Sequence, residues 1–158
     1  MYNPVSEKLL QPLEIFRMKK DRFKIGLKLR HPSLAPDEIS SVFGLRPTLS
    51  WKAGDRVGEL VHKSTVWNGL LADGAGSEEY DGALNKAISH LEDRQEWLKN
   101  SFGDDGELEV VFAFYTDQDE DLLCRPRFYP ELLLRLSKLD AGMEVQVWKD
   151  EGEHGVFE

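Results

Sequence analysis

The apolar pattern of this chain predicts an α+β fold. It is a single mixed, mainly antiparallel sheet with helices on one face, an extended ferredoxin-like two-layer sandwich. Three observations predict it. Residues 23–29 alternate apolar and polar or small side chains, and residues 108–115 set Leu108, Val110, Phe112 and Phe114 at every second position, the mark of strands. Helix-period segments fall between the strands, two of them opened by Pro36 and Pro130. The strands read apolar on one side and polar on the other, which suits helices on one face rather than a doubly wound parallel sheet.

The elements follow in order. Residues 1–21 carry Pro4 and Pro12 without a clean period and read as an N-terminal arm. In the first strand Phe23, Ile25, Leu27 and Leu29 face one way; Arg22, Lys24, Lys28 and Arg30 face the other. His31-Pro32-Ser33 ends it. A helix begins at Pro36, with Asp37 and Glu38 in the first turn where the helix dipole favours acids. Ile39, Val42 and Phe43 form its stripe, and Gly44 supplies a left-handed stop. Pro47 and Gly54 bracket a short extended piece. A strand is expected over residues 60–70, broken by Asp73-Gly74-Ala75-Gly76. Ser77 is the expected cap of one long helix to about Lys99, with Tyr80, Leu84, Ala87, Ile88, Leu91 and Leu98 at helical spacing.

In the second clean strand Leu108, Val110, Phe112 and Phe114 form one face. Glu109, Val111, Ala113 and Tyr115 form the other. An acidic turn over residues 117–121 is expected to lead into an edge strand over residues 122–128, placed at the edge by Pro126. Pro130 opens a helix with Leu132, Leu133, Leu136 and Leu139, stopped by Gly142. Met143, Val145 and Val147 alternate with Glu144, Gln146 and Trp148 in the last strand. The expected organisation is an arm (1–21), one α+β domain (22–148) and an acidic tail (149–158).

Composition narrows the function. With 158 residues, 41% hydrophobic and 31% charged, the chain is long enough for one proper core. No apolar run approaches a membrane span, and the start lacks the apolar stretch of a signal peptide. A single cysteine, Cys124, makes no intrachain disulfide and fits a reducing cytoplasm. The net charge of −9 opposes binding to nucleic acid or an anionic membrane. That charge is uneven. Residues 17–30 hold seven bases against Asp21, while residues 101–124 hold eight acids and no base. Neighbouring strands with facing charges account for such blocks.

The search for chemistry is mostly negative. His31, His62, His90 and His154 lie outside any paired zinc-ligand spacing, so neither metal nor cofactor is expected. No GxSxG elbow is present. Gly74-Ala75-Gly76 lacks the third glycine and the lysine of a phosphate loop, and Asp73, Glu78 and Glu79 would repel an anion. The acids of residues 117–121 lack the central glycine of a calcium loop. The four tryptophans are the more pointed signal. Trp148 falls on the polar sheet face with Tyr115, an aromatic pairing of the kind interfaces favour. Arg46, Thr48, Trp51, Lys52 and Trp67 are candidates for a cleft, with two cations for an anionic group and two indoles for an apolar wall.

One family resemblance rests on Leu34-Ala-Pro-Asp-Glu-Ile leading into Phe43-Gly-Leu-Arg-Pro-Thr48, on Lys52-Ala-Gly54, on Trp67, and on the run from Pro130 to Leu139. This set resembles the family numbered 4279 among bacterial domains of unknown function, over most of residues 22–148. Trp148 departs from that pattern, which has tyrosine there. The resemblance implies a small intracellular bacterial protein and transfers no catalytic residue. The expectation is therefore a non-enzymatic protein-interaction domain, of immunity or accessory type, with a protein partner. A small anionic-ligand or enzymatic domain using the Arg46–Trp67 cleft is the alternative.

Overall fold

The computed structural model describes residues 21–116 and 128–149. Strand β1 (Arg22–His31) leads into helix α1 (Pro36–Phe43) and strand β2 (Pro47–Trp51). A small two-stranded ribbon follows, β3 (Arg56–Val57) and β4 (Leu60–Val61). Then come β5 (Thr65–Ala75), α2 (Ser77–Glu92), a single helical turn α3 (Gln95–Trp97), and a π-helical turn (Leu98–Phe102). Strand β6 (Glu107–Thr116), helix α4 (Pro130–Lys138) and strand β7 (Gly142–Lys149) complete the described chain.

The main sheet runs β2-β5-β1-β6-β7. Pairs β2·β5, β5·β1 and β1·β6 are antiparallel, and β6·β7 is parallel. The first four of these strands with α1 and α2 make the βαββαβ order of a ferredoxin-like unit. Helix α4 and β7 extend it. The crossover through α4 is what a parallel neighbour requires.

Both alternating strands lie side by side as their patterns imply. Leu27 pairs with Val110 and Ile25 with Phe112, so their apolar faces merge into one core with Ile39, Phe43, Ile88, Leu91 and Leu136 of the helices. Lys28 sits opposite Glu109, and Arg30 opposite Glu107, as the uneven charge suggests. The other face of β6 departs from the pattern. Val111 and Ala113 are fully buried and Tyr115 is 2% exposed. Lys28 reaches across β6 to Glu144, 2.8 Å away, and passes the strand at Val111. Arg22 and Lys24 place their cations 5.5 and 5.6 Å from the Tyr115 ring centre. Long charged stems lie over a face that alternation alone assigns to water.

Several boundaries differ from the sequence expectation. The strand expected over 60–70 begins at Thr65, because residues 56–61 close their own ribbon. It also runs on through Asp73 and Gly74 to Ala75. Arg22, Phe23 and Lys24 supply a pairing partner for each of those residues, and tertiary pairing overrides turn composition. Gly74 is required there: a Cβ would stand 2.8 Å from the Phe23 ring. Leu71 is the extra residue of a bulge opposite Ile25 and Gly26. The cap of α2 is Gly76, not Ser77, at φ 80 and ψ 157, a region open essentially to glycine. Glu79 accepts the Ala75 N–H at 3.0 Å, so a carboxylate already occupies the position a phosphate would take in a glycine loop.

The expected helix to Lys99 stops at Glu92. Arg94 is the cause. Its guanidinium donates to His90 O and Val42 O at 2.9 Å, while its own N–H turns to Leu91 O. One side chain thus satisfies a carbonyl of α1 and takes the α2 carbonyl that its own N–H would otherwise bond, so the α2 ladder ends there. The edge strand expected over 122–128 falls, apart from Phe128, outside the described residues. Phe128 lies against Phe112, and both edges of β6 are already taken by β1 and β7.

Candidate interaction surface

The residues proposed for a cleft around β2 do not share one wall. Trp67 is fully buried. Its indole donates to Ser40 Oγ at 2.9 Å and stacks on Phe43 with centroids 5.8 Å apart. It is a core residue, held by helix α1. Thr48 is exposed and donates to Asn68 O at 3.3 Å, an ordinary strand-to-strand tie. Trp51 is half-buried and stacks on His62 at 4.5 Å. Arg46 and Lys52 are exposed at opposite ends of β2. Six extended residues span about 20 Å, so the two cations do not converge on one small anion.

His31 and His90 are likewise structural. His31 donates from Nε2 to Phe102 O and accepts at Nδ1 from the N–H groups of Ser33 and Leu34, each at 3.0 Å. Both ring nitrogens are engaged. His90 donates to Phe43 O at 2.9 Å; burial, then the nearby Arg94 charge, hold its pKa below the usual histidine value. Among the described residues no group of three or more His, Cys, Asp or Glu is placed to hold a metal. No described helix is long and apolar enough to cross a membrane.

Of the ten large apolar residues exposed in the described chain, Val57, Leu60 and Val61 lie on the β3–β4 ribbon and the other seven at the α4–β7 end of the sheet. Helix α4 begins with Pro130 at its first turn and buries Leu132 and Leu136 in the core. Its next-door residues Leu133 and Leu134 remain 43% and 56% exposed. Arg135 ties the helix to α2, donating to Asn85, Ser89 and Glu92. Strand β7 follows with two different faces. Met143, Val145 and Val147 pair with Val110, Phe112 and Phe114 and so share the helix side of the sheet. Yet they stay 39%, 39% and 44% exposed, because β7 lies at the sheet margin. Between α4 and the start of β7 lies an open groove of about 410 Å³, lined by Leu133, Leu136, Ser137 and Met143 among others.

The opposite face of β7 carries a polar chain. Lys28 donates to Glu144, Gln146 donates to the other oxygen of Glu144, and the Trp148 indole donates to Gln146 Oε1 at 3.2 Å. The Lys28 hydrogen bond, then that of Gln146, hold the Glu144 carboxyl below the usual glutamate range. This chain orients Trp148, which is 42% exposed. Trp148 therefore presents a fixed, half-open indole. Tyr115, expected beside it on an open face, is its register partner but is buried beneath the Arg22 and Lys24 side chains. The sequence reading found Trp148 and missed Leu133, Leu134 and the Met143–Val147 strip. Those residues carry the apolar half of a regular pattern, and nothing in the pattern says that the strand lies at an edge.

Comparison with curated proteins and with solved structures found no match. A family model described as Domain of unknown function (DUF4279) matches residues 21–150, which span the whole β1–β7 unit. The chain belongs to the DUF4279 family.

Proposed function

We propose that this chain is a small cytoplasmic bacterial protein that works by binding another protein chain, in the manner of an immunity or accessory protein, and not as an enzyme. One observation carries the reading. Tyr129, Leu133, Leu134, Met143, Val145, Val147 and Trp148 are each at least 39% exposed and all belong to the α4–β7 end. Exposed apolar side chains gathered at one end of a domain mark a place where another molecule sits. The oriented Trp148 on the other face of the same edge strand is a typical anchor for binding energy. The small-anion alternative is opposed by the burial of Trp67 and the separation of Arg46 from Lys52.

The test is photocrosslinking in the chain's own host cells. A photoreactive residue replaces Val147 in one strain and the exposed Asp105 in another. A discrete protein adduct at position 147 and none at position 105 is the expected result. Equal labelling at both positions, or no adduct at 147, would remove the interaction reading.

A further inference from the structure

The two edges of the main sheet are built differently. Strand β2 has five residues, opens on Pro47, and shifts register between Pro47 and Leu49. These features blunt an edge against further pairing. Strand β7 has none of them. It runs for eight residues in unbroken register with β6, contains no proline, and carries its single lysine at its last position. Its one acid, Glu144, is already neutralised by Lys28. Among the described residues it has a single strand neighbour.

Charge singles out the same end. From Tyr129 to Lys149 the acids Glu131, Asp140 and Glu144 are balanced by Arg135, Lys138 and Lys149. The rest of a chain of net charge −9 therefore carries the whole excess. The helix and strand at this edge thus bring no net charge of their own to a second copy, the four acids of residues 150–158 following only beyond Lys149.

We infer that β7 pairs antiparallel with β7 of a second copy about a twofold axis, joining two five-stranded sheets into one. The inference rests on the interaction reading above and names its partner. A twofold through Val145 or Gln146 leaves Met143, Val145 and Val147 of both copies on the helix side of the joined sheet. That makes one continuous apolar strip from two half-exposed ones. Stable dimers bury about 1,200–2,000 Å² in total, more than two short strands supply. Helix α4 of each copy then closes over the strip, and the exposed Leu133 beside the groove is its contact. A foreign extended peptide satisfies the same backbone. The second copy has, in addition, the matching length, apolar period and neutrality.

The test uses the purified full chain in light scattering across a micromolar dilution series. The expected mass is twice 18.1 kDa. The double substitution Val145→Lys, Val147→Lys should weaken the dimer at least about 100-fold, with unchanged circular dichroism, since charge on an edge strand opposes pairing. If that variant misfolds, Gln146→Cys in a Cys124→Ser background replaces it. A short bis-maleimide should then link two copies, whereas Glu96→Cys should not. A wild-type mass of 18.1 kDa throughout, or equal linking at both positions, overturns the dimer. A crosslinked foreign protein at position 147 beside a monomeric purified chain also overturns it, while leaving the interaction reading standing.

Discussion

Gly69→Ala is a small change at a site with no room for it. Gly69 lies two residues after Trp67 on the same face of β5, and the indole folds over it. A methyl at Gly69 would stand 2.4 Å from Cη2, 2.7 Å from Cζ3 and 3.2 Å from Cζ2 of that ring. The ring is not free to swing away. Ser40 holds its nitrogen at 2.9 Å, and Phe43 stacks on its other side. Overfilling a rigid core costs about 1–3 kcal/mol, and loosening the Ser40 hydrogen bond adds about 1 kcal/mol. Replacing glycine in a strand returns about 0.5–1 kcal/mol. The expected net loss is about 1–3 kcal/mol, read as a lower midpoint in urea unfolding followed by circular dichroism. Trp67→Phe removes the outer ring atoms that meet the methyl. In that background the added cost of Gly69→Ala should fall below about 0.5 kcal/mol, a coupling near 1 kcal/mol or more. If Gly69→Ala alone stays within about 0.5 kcal/mol of wild type, or if the two changes simply add, Trp67 is not the clamped wall described here.

Four further outcomes are expected. Phe112→Asp puts a carboxylate at a fully buried site and should abolish folding, while Glu109→Lys should move the melting temperature little, since exposed pairs are worth about 0.2–1 kcal/mol. Arg135→Ala removes the ties from α4 to Asn85, Ser89 and Glu92 and should cost about 1–2 kcal/mol in thermal unfolding, with faster amide exchange across α4. Stability should decline in two stages on acidification. His90, lowered from 6.5, takes up its proton more readily in the unfolded chain, so its contribution is complete above 6.5 and is lost as pH falls through its folded value; His90→Gln should flatten that stage. Glu144, lowered from 4.5, acts in the same sense below 4.5, and Glu144→Gln should remove its share of the acid slope. Arg46→Ala and Lys52→Ala should each leave the unfolding midpoint unchanged within about 0.5 kcal/mol, being exposed side chains at the ends of a strand.

What the sequence makes legible follows the reach of its signals. Phe23 to Leu29 and Leu108 to Phe114 repeat with period two, and a slip of one residue would bury Lys24 or Glu109, so their shared core face can be read directly. Pro36 and Gly44 mark both ends of α1 by local geometry. Asp73-Gly74 misleads because its composition is that of a turn, while its conformation is set by Phe23 from another strand. Arg94 breaks a well-patterned helix through a carbonyl on α1, a partner about 50 positions away. Trp67 is hidden for the same reason: an indole beside a strand end reads as exposed until Ser40 and Phe43 are brought to it. At the α4–β7 end the residues were visible and their position in the sheet was not.

The place of β1 in the sheet has a consequence for how the protein is made. This strand is the first of the domain to leave the ribosome, yet it is the middle strand of the finished sheet. Leu27 must wait for Gly69 on one side and for Val110, about twice as far along the chain, on the other. Doubling a loop adds only about 0.6 kcal/mol to its closure entropy, so the delay is one of time more than of free energy. Distant pairings of this kind make folding slower than in helical proteins, whose contacts are local. Until β6 has emerged, the Phe23–Leu29 stripe is a sticky segment on a nascent chain, and the lysines and arginines on its other face keep it from self-association.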